Sequence, residues 1–207
     1  MWMGTGEMRF KYGLMSTCRM GIRNHPMNVM MCSISYMGNG ETAASFFQNE
    51  NGMMRNLLDH LIEKGDMSPV IVVSTSYVYG TPVDYYPDAD PYCKALPQEL
   101  VNDLLPLVES RYCTYTQQTD LEGLQASRNH RAIGGFSMGA VTTWYALEYT
   151  LDYFKYFLPI SSDGWSLGRF AGMNYPDETA LIWPISSVLH HHWKMISTFG
   201  HAAGQMM

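Results

Sequence analysis

Residues 130–140 read HRAIGGFSMGA, and this stretch decides the fold. It contains a G-x-S-x-G pentapeptide centred on Ser137, with an apolar segment before it and a helix-forming segment after it. A serine on a tight strand-to-helix turn needs small residues two positions away on either side, because bulky side chains would collide with the backbone there. The pattern therefore predicts that Ser137 is a nucleophile held above the edge of a sheet. The backbone N–H of Met138, at the start of the helix, is then expected to help hold an oxyanion.

Helix and strand signals alternate on both sides of this motif. The hydrophobic spacing predicts helices over residues 53–62, 97–112 and 138–149, and strands over 70–73, 130–136 and 156–160. We expect Gly65 to end the first helix and Pro106 to bend the second. Alternation of this kind implies a parallel sheet covered by helices on both faces.

Length and composition exclude several classes of protein. The chain has 207 residues, 46% of them hydrophobic and 15% charged, which fits one domain over residues 1–207 with a sizeable core. Its charged residues give a net charge of −6 and are scattered along the sequence, whereas a nucleic-acid-binding protein would show a basic stripe. No apolar run approaches the ~20 residues that a membrane-spanning helix needs. We therefore expect neither a nucleic-acid partner nor a membrane partner.

The four cysteines are far apart in the sequence and form no C-x-x-C pair. This spacing argues against a zinc ribbon or a disulfide-built miniprotein. We expect isolated buried thiols, with one long-range disulfide as the alternative. The first residues lack the long apolar segment of a secretion signal, so the chain as written is expected in the cytoplasm.

The segment from Ser127 to Ala140 resembles the nucleophile segment of a family of carbohydrate esterases. This family includes feruloyl esterase domains of xylanases and acetyl xylan esterases, and it is grouped with the esterase D-like α/β-hydrolases. Further matching motifs follow in the family's order at residues 49–54, 62–67, 99–104, 153–159 and 163–165. The resemblance covers residues 36–180, whereas residues 1–35 and 181–207 have diverged.

The resemblance implies a three-layer α/β-hydrolase sandwich with a mainly parallel sheet that lacks its C-terminal strand and helix. It implies a serine esterase that cleaves acyl or feruloyl esters of plant cell-wall carbohydrate through an acyl-enzyme on Ser137. The substrate would be a small-molecule or polysaccharide ester, and no metal or organic cofactor is implied. Related esterases are often secreted. The oligomeric state cannot be read from the sequence.

The resemblance also assigns roles to residues around the nucleophile. Ile34-Ser35 occupies the position of a His-Gly pair in the family's oxyanion loop, so Tyr36 becomes the second backbone donor beside Met138. Trp165 is expected either to stack on an aromatic acyl group or to pack in the core. Asp163 is expected to have a structural role, since the family has an aspartate here besides its catalytic one.

The C-terminal segment departs from the family's triad. In α/β-hydrolases an acid and then a histidine follow the serine, yet residues 179–207 contain no Asp or Glu. We expect His201 to serve as a substitute base. A truncated or frame-shifted gene would explain this tail equally well. Two further hypotheses therefore stay open: a catalytically impaired remnant of the hydrolase fold, and an acyltransferase of the same fold.

One further run of side chains in this tail could suggest a metal. His190, His191 and His192 are consecutive. Three consecutive residues cannot all face one ion, so no metal site is expected there.

Overall fold

The computed structural model describes residues 15–17, 28–35, 53–75 and 87–182, with side chains over 56–75 and 87–182. The strands are β1 (Met15–Thr17), β2 (Asn28–Ser35), β3 (Val70–Thr75), β4 (Arg131–Ser137) and β5 (Tyr156–Ile160). The helices are α1 (Met53–Lys64), α2 (Asp90–Glu99), α3 (Leu105–Arg111), α4 (Leu121–Ala126), α5 (Met138–Tyr149), α6 (Ala171–Asn174) and α7 (Pro176–Ile182).

The five strands form one sheet in the order β1-β3-β2-β4-β5. The short strand β1 is antiparallel to β3, and every other neighbouring pair is parallel. Strands β2 to β5 therefore all end at the same edge, which we call the carboxyl edge. The register pairs Ser35 with Ser137, and Phe136 with Ile160. The predicted, mainly parallel sheet is confirmed.

One face of the sheet is covered by α5, and α2 packs against α5. Ile71, Val73, Ile133 and Phe157 point from the strands into a continuous hydrophobic core, which the two helices complete. Helix α5 is buried around most of its circumference, from Met138 to Leu147. Such a helix is hydrophobic on all sides because neighbouring elements enclose it. It is therefore firmly held where it follows Ser137.

The prediction that the second helix begins at Pro97 is wrong. Helix α2 begins at Asp90, with Pro91 in its first turn, and Pro97 lies inside it. A proline fits the first turn of a helix because the N–H it lacks would have no partner there. Both Pro91 and Pro97 are compatible with the first turn of a helix, and the hydrophobic spacing alone does not distinguish between them. Asp90, the first residue of this helix, places a carboxylate at the positive end of the helix dipole.

Pro106 interrupts the helical segment as predicted. Residues Leu100–Leu104 form a π-helical turn between α2 and α3, and the N–H of Leu105 reaches back to the carbonyl of Leu100. Because Pro106 has no N–H, it cannot continue the α-helical hydrogen-bond ladder. The widened turn just before it redirects the chain, and Pro106 then lies in the first turn of α3.

The two cysteines whose side chains are described differ from each other. Both are free thiols; Cys93 is buried in the core, whereas Cys113 is exposed. The expectation of isolated buried thiols is therefore right for Cys93 and wrong for Cys113.

Candidate active site

Ser137 lies at the sharp turn that joins β4 to α5. Its backbone angles are φ 55° and ψ −118°, outside the regions that a non-glycine residue normally adopts. Such a conformation costs about 1–3 kcal/mol and persists only where the surrounding structure enforces it. Here the β4 ladder holds one side of the turn and the buried helix α5 holds the other. The serine itself is half-buried, so its hydroxyl is not sealed inside the core.

Met138 is the first residue of α5 and is only 4% exposed. The first N–H groups of a helix have no partner within the helix, and the helix dipole places partial positive charge there. The Met138 N–H is thus suited to a developing oxyanion next to Ser137. The Met138 carbonyl accepts a contact from the Cys93 thiol at 3.8 Å, which ties α2 to this turn.

A second contact between α2 and α5 is made by Tyr145. Its hydroxyl donates to Asp90 Oδ1 at 2.5 Å. Burial, followed by the hydrogen bond to Asp90, raises the pKa of Tyr145 well above its usual value, so the phenol keeps its proton. Burial and the neighbouring Glu148 also raise the pKa of Tyr149, to about 12. Because α5 carries Met138 at its other end, these contacts help fix the helix start.

The carboxyl edge carries a second unusual residue beside Ser137. Ser161 follows β5 directly and has φ 62°. Since Phe136 pairs with Ile160, Ser137 and Ser161 are neighbours at the ends of adjacent strands. The segment Ser161–Phe170, which we call the β5–α6 loop, therefore starts next to the candidate nucleophile.

Trp165 lies in this loop, is 7% exposed and belongs to the hydrophobic core. Most of its ring is thus occupied by packing, and the alternative that it stacks on an acyl group stays a prediction. Asp163 has the structural role that was expected, because its Oδ2 accepts the N–H of Phe170 at 2.5 Å.

The histidines of the described segments lie away from Ser137. His60 is in the second half of α1, which runs back toward the start of β3. His130 immediately precedes β4 and stacks on Tyr115, with ring centroids 3.5 Å apart. Both positions are toward the opposite edge of the sheet from Ser137. His201 and Tyr36, the predicted base and second oxyanion donor, lie outside the described residues.

Ser137 ends β4 and Met138 begins α5, at the strand-to-helix turn that the motif predicts, and their catalytic roles stay predictions. The structure places Trp165 in the loop after the neighbouring strand, inside the core. Within the described segments, no group of three His, Cys, Asp or Glu side chains could hold a metal ion. In the same segments, none of the helices has the length and apolar character to cross a membrane.

A mainly parallel sheet with a strained serine turn between strand and helix is the arrangement of the α/β-hydrolase esterases. A similar solved structure is the feruloyl esterase module of Clostridium thermocellum, in a serine-to-alanine variant complexed with sinapinate. That module is 32% identical to this chain, with a TM-score of 0.59 over 74% of this chain and 55% of the module. The resemblance to the carbohydrate esterases and the α/β-hydrolase fold are therefore confirmed.

Two further comparisons extend this result. Endo-1,4-beta-xylanase Y of Acetivibrio thermocellus is 41% identical over 130 residues, which are 62% of this chain and 11% of the xylanase. The ferulic acid esterase of Anaeromyces mucronatus is 18% identical with a TM-score of 0.51 over 74% of this chain and 60% of that enzyme, and supports the fold alone. No protein-family model matches the chain. The chain thus spans about half of the similar esterase structures and about a tenth of the xylanase.

Proposed function

We propose that this chain is a serine esterase that hydrolyses acyl or feruloyl esters of plant cell-wall carbohydrate through an acyl-enzyme on Ser137. The observation that carries the proposal is the strained turn at Ser137, with φ 55° in a non-glycine residue directly before a buried helix. Backbone strain of this kind is concentrated at functional sites. The similarity to a feruloyl esterase module that binds sinapinate supports an aromatic acyl group as the part of the substrate held at the site.

The reaction would proceed in two acyl-transfer steps. Ser137 Oγ attacks the ester carbonyl and loses its proton to a base, and the carbonyl oxygen becomes an oxyanion that the Met138 N–H faces. The bond to the sugar oxygen then breaks, and that oxygen takes up the proton and leaves as an alcohol. Water attacks the acyl-enzyme in the same way, releasing the free acid and restoring the serine hydroxyl.

His201 is our proposal for the base, and Tyr36 for the second oxyanion donor. The two histidines of the described segments lie toward the opposite edge of the sheet, which favours an imidazole base from the remaining residues of the chain. A histidine is the usual partner of a nucleophilic serine because its pKa lies near neutral pH.

The test combines covalent labelling with turnover. A fluorophosphonate probe should label the wild-type chain at Ser137 and should not label a Ser137→Ala variant. The wild type should also hydrolyse methyl ferulate without an added sugar acceptor, whereas a strict acyltransferase would need the acceptor. A chain that is folded by circular dichroism yet neither labelled nor active would contradict the proposal.

The second candidate is a catalytically impaired remnant of the same fold. The absence of Asp and Glu from residues 179–207, where the triad acid of the similar esterases is expected, favours it. His201→Ala separates the two candidates, because an esterase that uses this base should lose at least about 100-fold in kcat. If His201→Ala retains the wild-type activity, His201 is not the base. If the wild type itself has no activity, the impaired remnant is the better description of the chain.

A further inference from the structure

The β5–α6 loop ends close to where it begins. The loop leaves the carboxyl edge at Ser161, one strand away from Ser137. The N–H of Phe170 is bound to Asp163, only two residues beyond Ser161. Strand spacing and chain length therefore place the Phe170 backbone within roughly 20 Å of Ser137. This is within reach of the part of an extended ester substrate that lies beyond the reacting bond.

The loop is held rigidly against α5. The indole N–H of Trp144 donates to the carbonyl of Ser162 at 3.1 Å. The Ser166 hydroxyl donates to Glu148 Oε2 at 2.6 Å. Trp165, between these two contacts, is buried in the core. Preorganised elements bind ligands better because less freedom is lost on binding, so this loop is suited to present a side chain in a fixed place.

Phe170 is the residue that the loop presents. It has φ 61°, in the left-handed region that non-glycine residues avoid, and its side chain is 48% exposed. Its carbonyl accepts the N–H groups of Met173 and Asn174 and so starts α6. A phenylalanine in this conformation costs backbone strain, and because its ring is only partly buried, hydrophobic packing offsets little of that cost. Packing alone therefore does not account for an aromatic residue at this position.

A cation lies on the Phe170 ring. The Arg169 guanidinium is 4.7 Å from the ring centroid. The neighbouring side chains of Leu167, Met173 and Tyr175 are also exposed, which makes this a mainly apolar surface with one strong group of hydrogen-bond donors. A sugar ring matches such a surface, because its C–H face packs on an aromatic plane while its hydroxyl oxygens accept hydrogen bonds.

We propose that Phe170 and Arg169 form a subsite for a sugar unit of the carbohydrate to which the ester is attached. The inference rests on the proposed function and deepens it: the acyl group is handled at Ser137, and the carbohydrate is recognised at the end of the β5–α6 loop. A small ester without a sugar would not reach this subsite. The subsite therefore sets the preference for carbohydrate-linked esters over simple ones.

The test uses Phe170→Gly, because glycine adopts positive φ freely and the fold should survive the change. The ratio of kcat/KM for a feruloylated arabinoxylo-oligosaccharide to kcat/KM for methyl ferulate should fall about threefold to tenfold, as expected for one lost aromatic stacking contact. Phe170→Trp should preserve the ratio. Thermal unfolding of each variant checks the fold.

Tyr156→Ala is the matched control. Tyr156 is also an exposed aromatic with a cation over its ring, Lys155 at 5.6 Å, but it lies at the start of β5, away from the carboxyl edge. Its substitution should leave the ratio unchanged. An unchanged ratio in Phe170→Gly, or an equal fall in the Tyr156 control, would overturn the subsite.

A binding measurement separates this inference from the proposed function. The unesterified arabinoxylo-oligosaccharide, titrated into the full chain and followed by NMR, should bind the wild type and bind Phe170→Gly more weakly. This result would support the subsite even in a chain without esterase activity. A wild type that hydrolyses methyl ferulate but shows no sugar binding would overturn the subsite and leave the esterase proposal standing.

Discussion

The two ends of β4 are built in opposite ways. At its amino end the Arg131 side chain is 1% exposed and forms a bidentate ion pair with Glu109, with Arg131 Nη2 3.0 Å from Glu109 Oε2. Arg131 Nη2 also donates to Thr116 Oγ1 at 2.7 Å, and Nη1 donates to the carbonyl of Tyr153 at 3.2 Å. At the carboxyl end Ser137 is half-buried and has strained backbone angles.

This difference shows how one strand can carry both stability and a reactive group. A buried charge pair is stable only when its hydrogen-bonding groups are satisfied, and the amino end meets that condition with side chains and carbonyls from several segments. The strand is thereby anchored where it begins. Strain at the other end is tolerated because the rest of the strand and α5 cannot relax around it.

The largest effect is expected from breaking the anchor. Glu109→Gln removes the charge that compensates Arg131 while keeping the size of the side chain, so the free energy of unfolding should fall by about 3–5 kcal/mol. Urea denaturation of the wild type and the variant measures this fall in the free energy of unfolding. Glu122→Gln, an exposed position in α4, is the control and should change stability by less than about 0.5 kcal/mol. Equal effects at both positions would contradict the role of the pair.

A second change tests the segment that supports the anchor. Gly123 in α4 lies against the chain before it, and a Cβ there would come within 2.2 Å of the carbonyl oxygen of Gln118. Gly123→Ala should therefore destabilise the fold by about 1–3 kcal/mol, since backbone has to move. Gly172→Ala in α6, where a Cβ meets open space, is the matched control and should not destabilise the chain. Chemical denaturation of both variants compares them.

The strained end should respond in the opposite direction. Ser137→Gly relieves the positive φ, so the chain should become more stable by about 1 kcal/mol while losing any esterase activity. Ser137→Ala removes the same hydroxyl but keeps the strain, and it should gain little. The difference in melting temperature between the two variants measures the strain directly. Equal melting temperatures would mean that the turn carries no such cost.

An effect of similar size, but of the opposite sign and dependent on pH, is expected at the contact between α2 and α5. Tyr145→Phe loses the hydrogen bond to Asp90 and should cost about 1 kcal/mol at neutral pH. Because the folded state raises the pKa of Tyr145, its contribution is complete below pH 10 and declines as the pH rises above the unfolded value. The gap in stability between the wild type and Tyr145→Phe should therefore narrow above pH 10. A stability difference that widens above pH 10 would indicate that folding lowers the pKa of Tyr145 instead of raising it.

Much of the sheet and the nucleophile turn could be predicted from sequence, because local patterns encode them. The G-x-S-x-G spacing around Ser137 and the β-branched run of β3 are signals that depend on neighbouring residues only. The pair of Arg131 and Glu109 could not be predicted, since its members are 22 positions apart and meet only after folding. The positive φ of Phe170 carries no sequence signal, because glycine and asparagine are the residues that usually mark such positions.

Pro159 in β5 has a consequence for how chains meet one another. In the described sheet β5 is the outermost strand on its side, and Tyr156, Leu158 and Ile160 are exposed on one of its faces. An exposed apolar edge strand of this kind is a site where a strand of another chain can pair. A proline offers no N–H for such pairing, and so the strand lacks a donor at its fourth position. Within the described sheet, Pro159 thereby makes the apolar β5 edge a poorer template for an added strand.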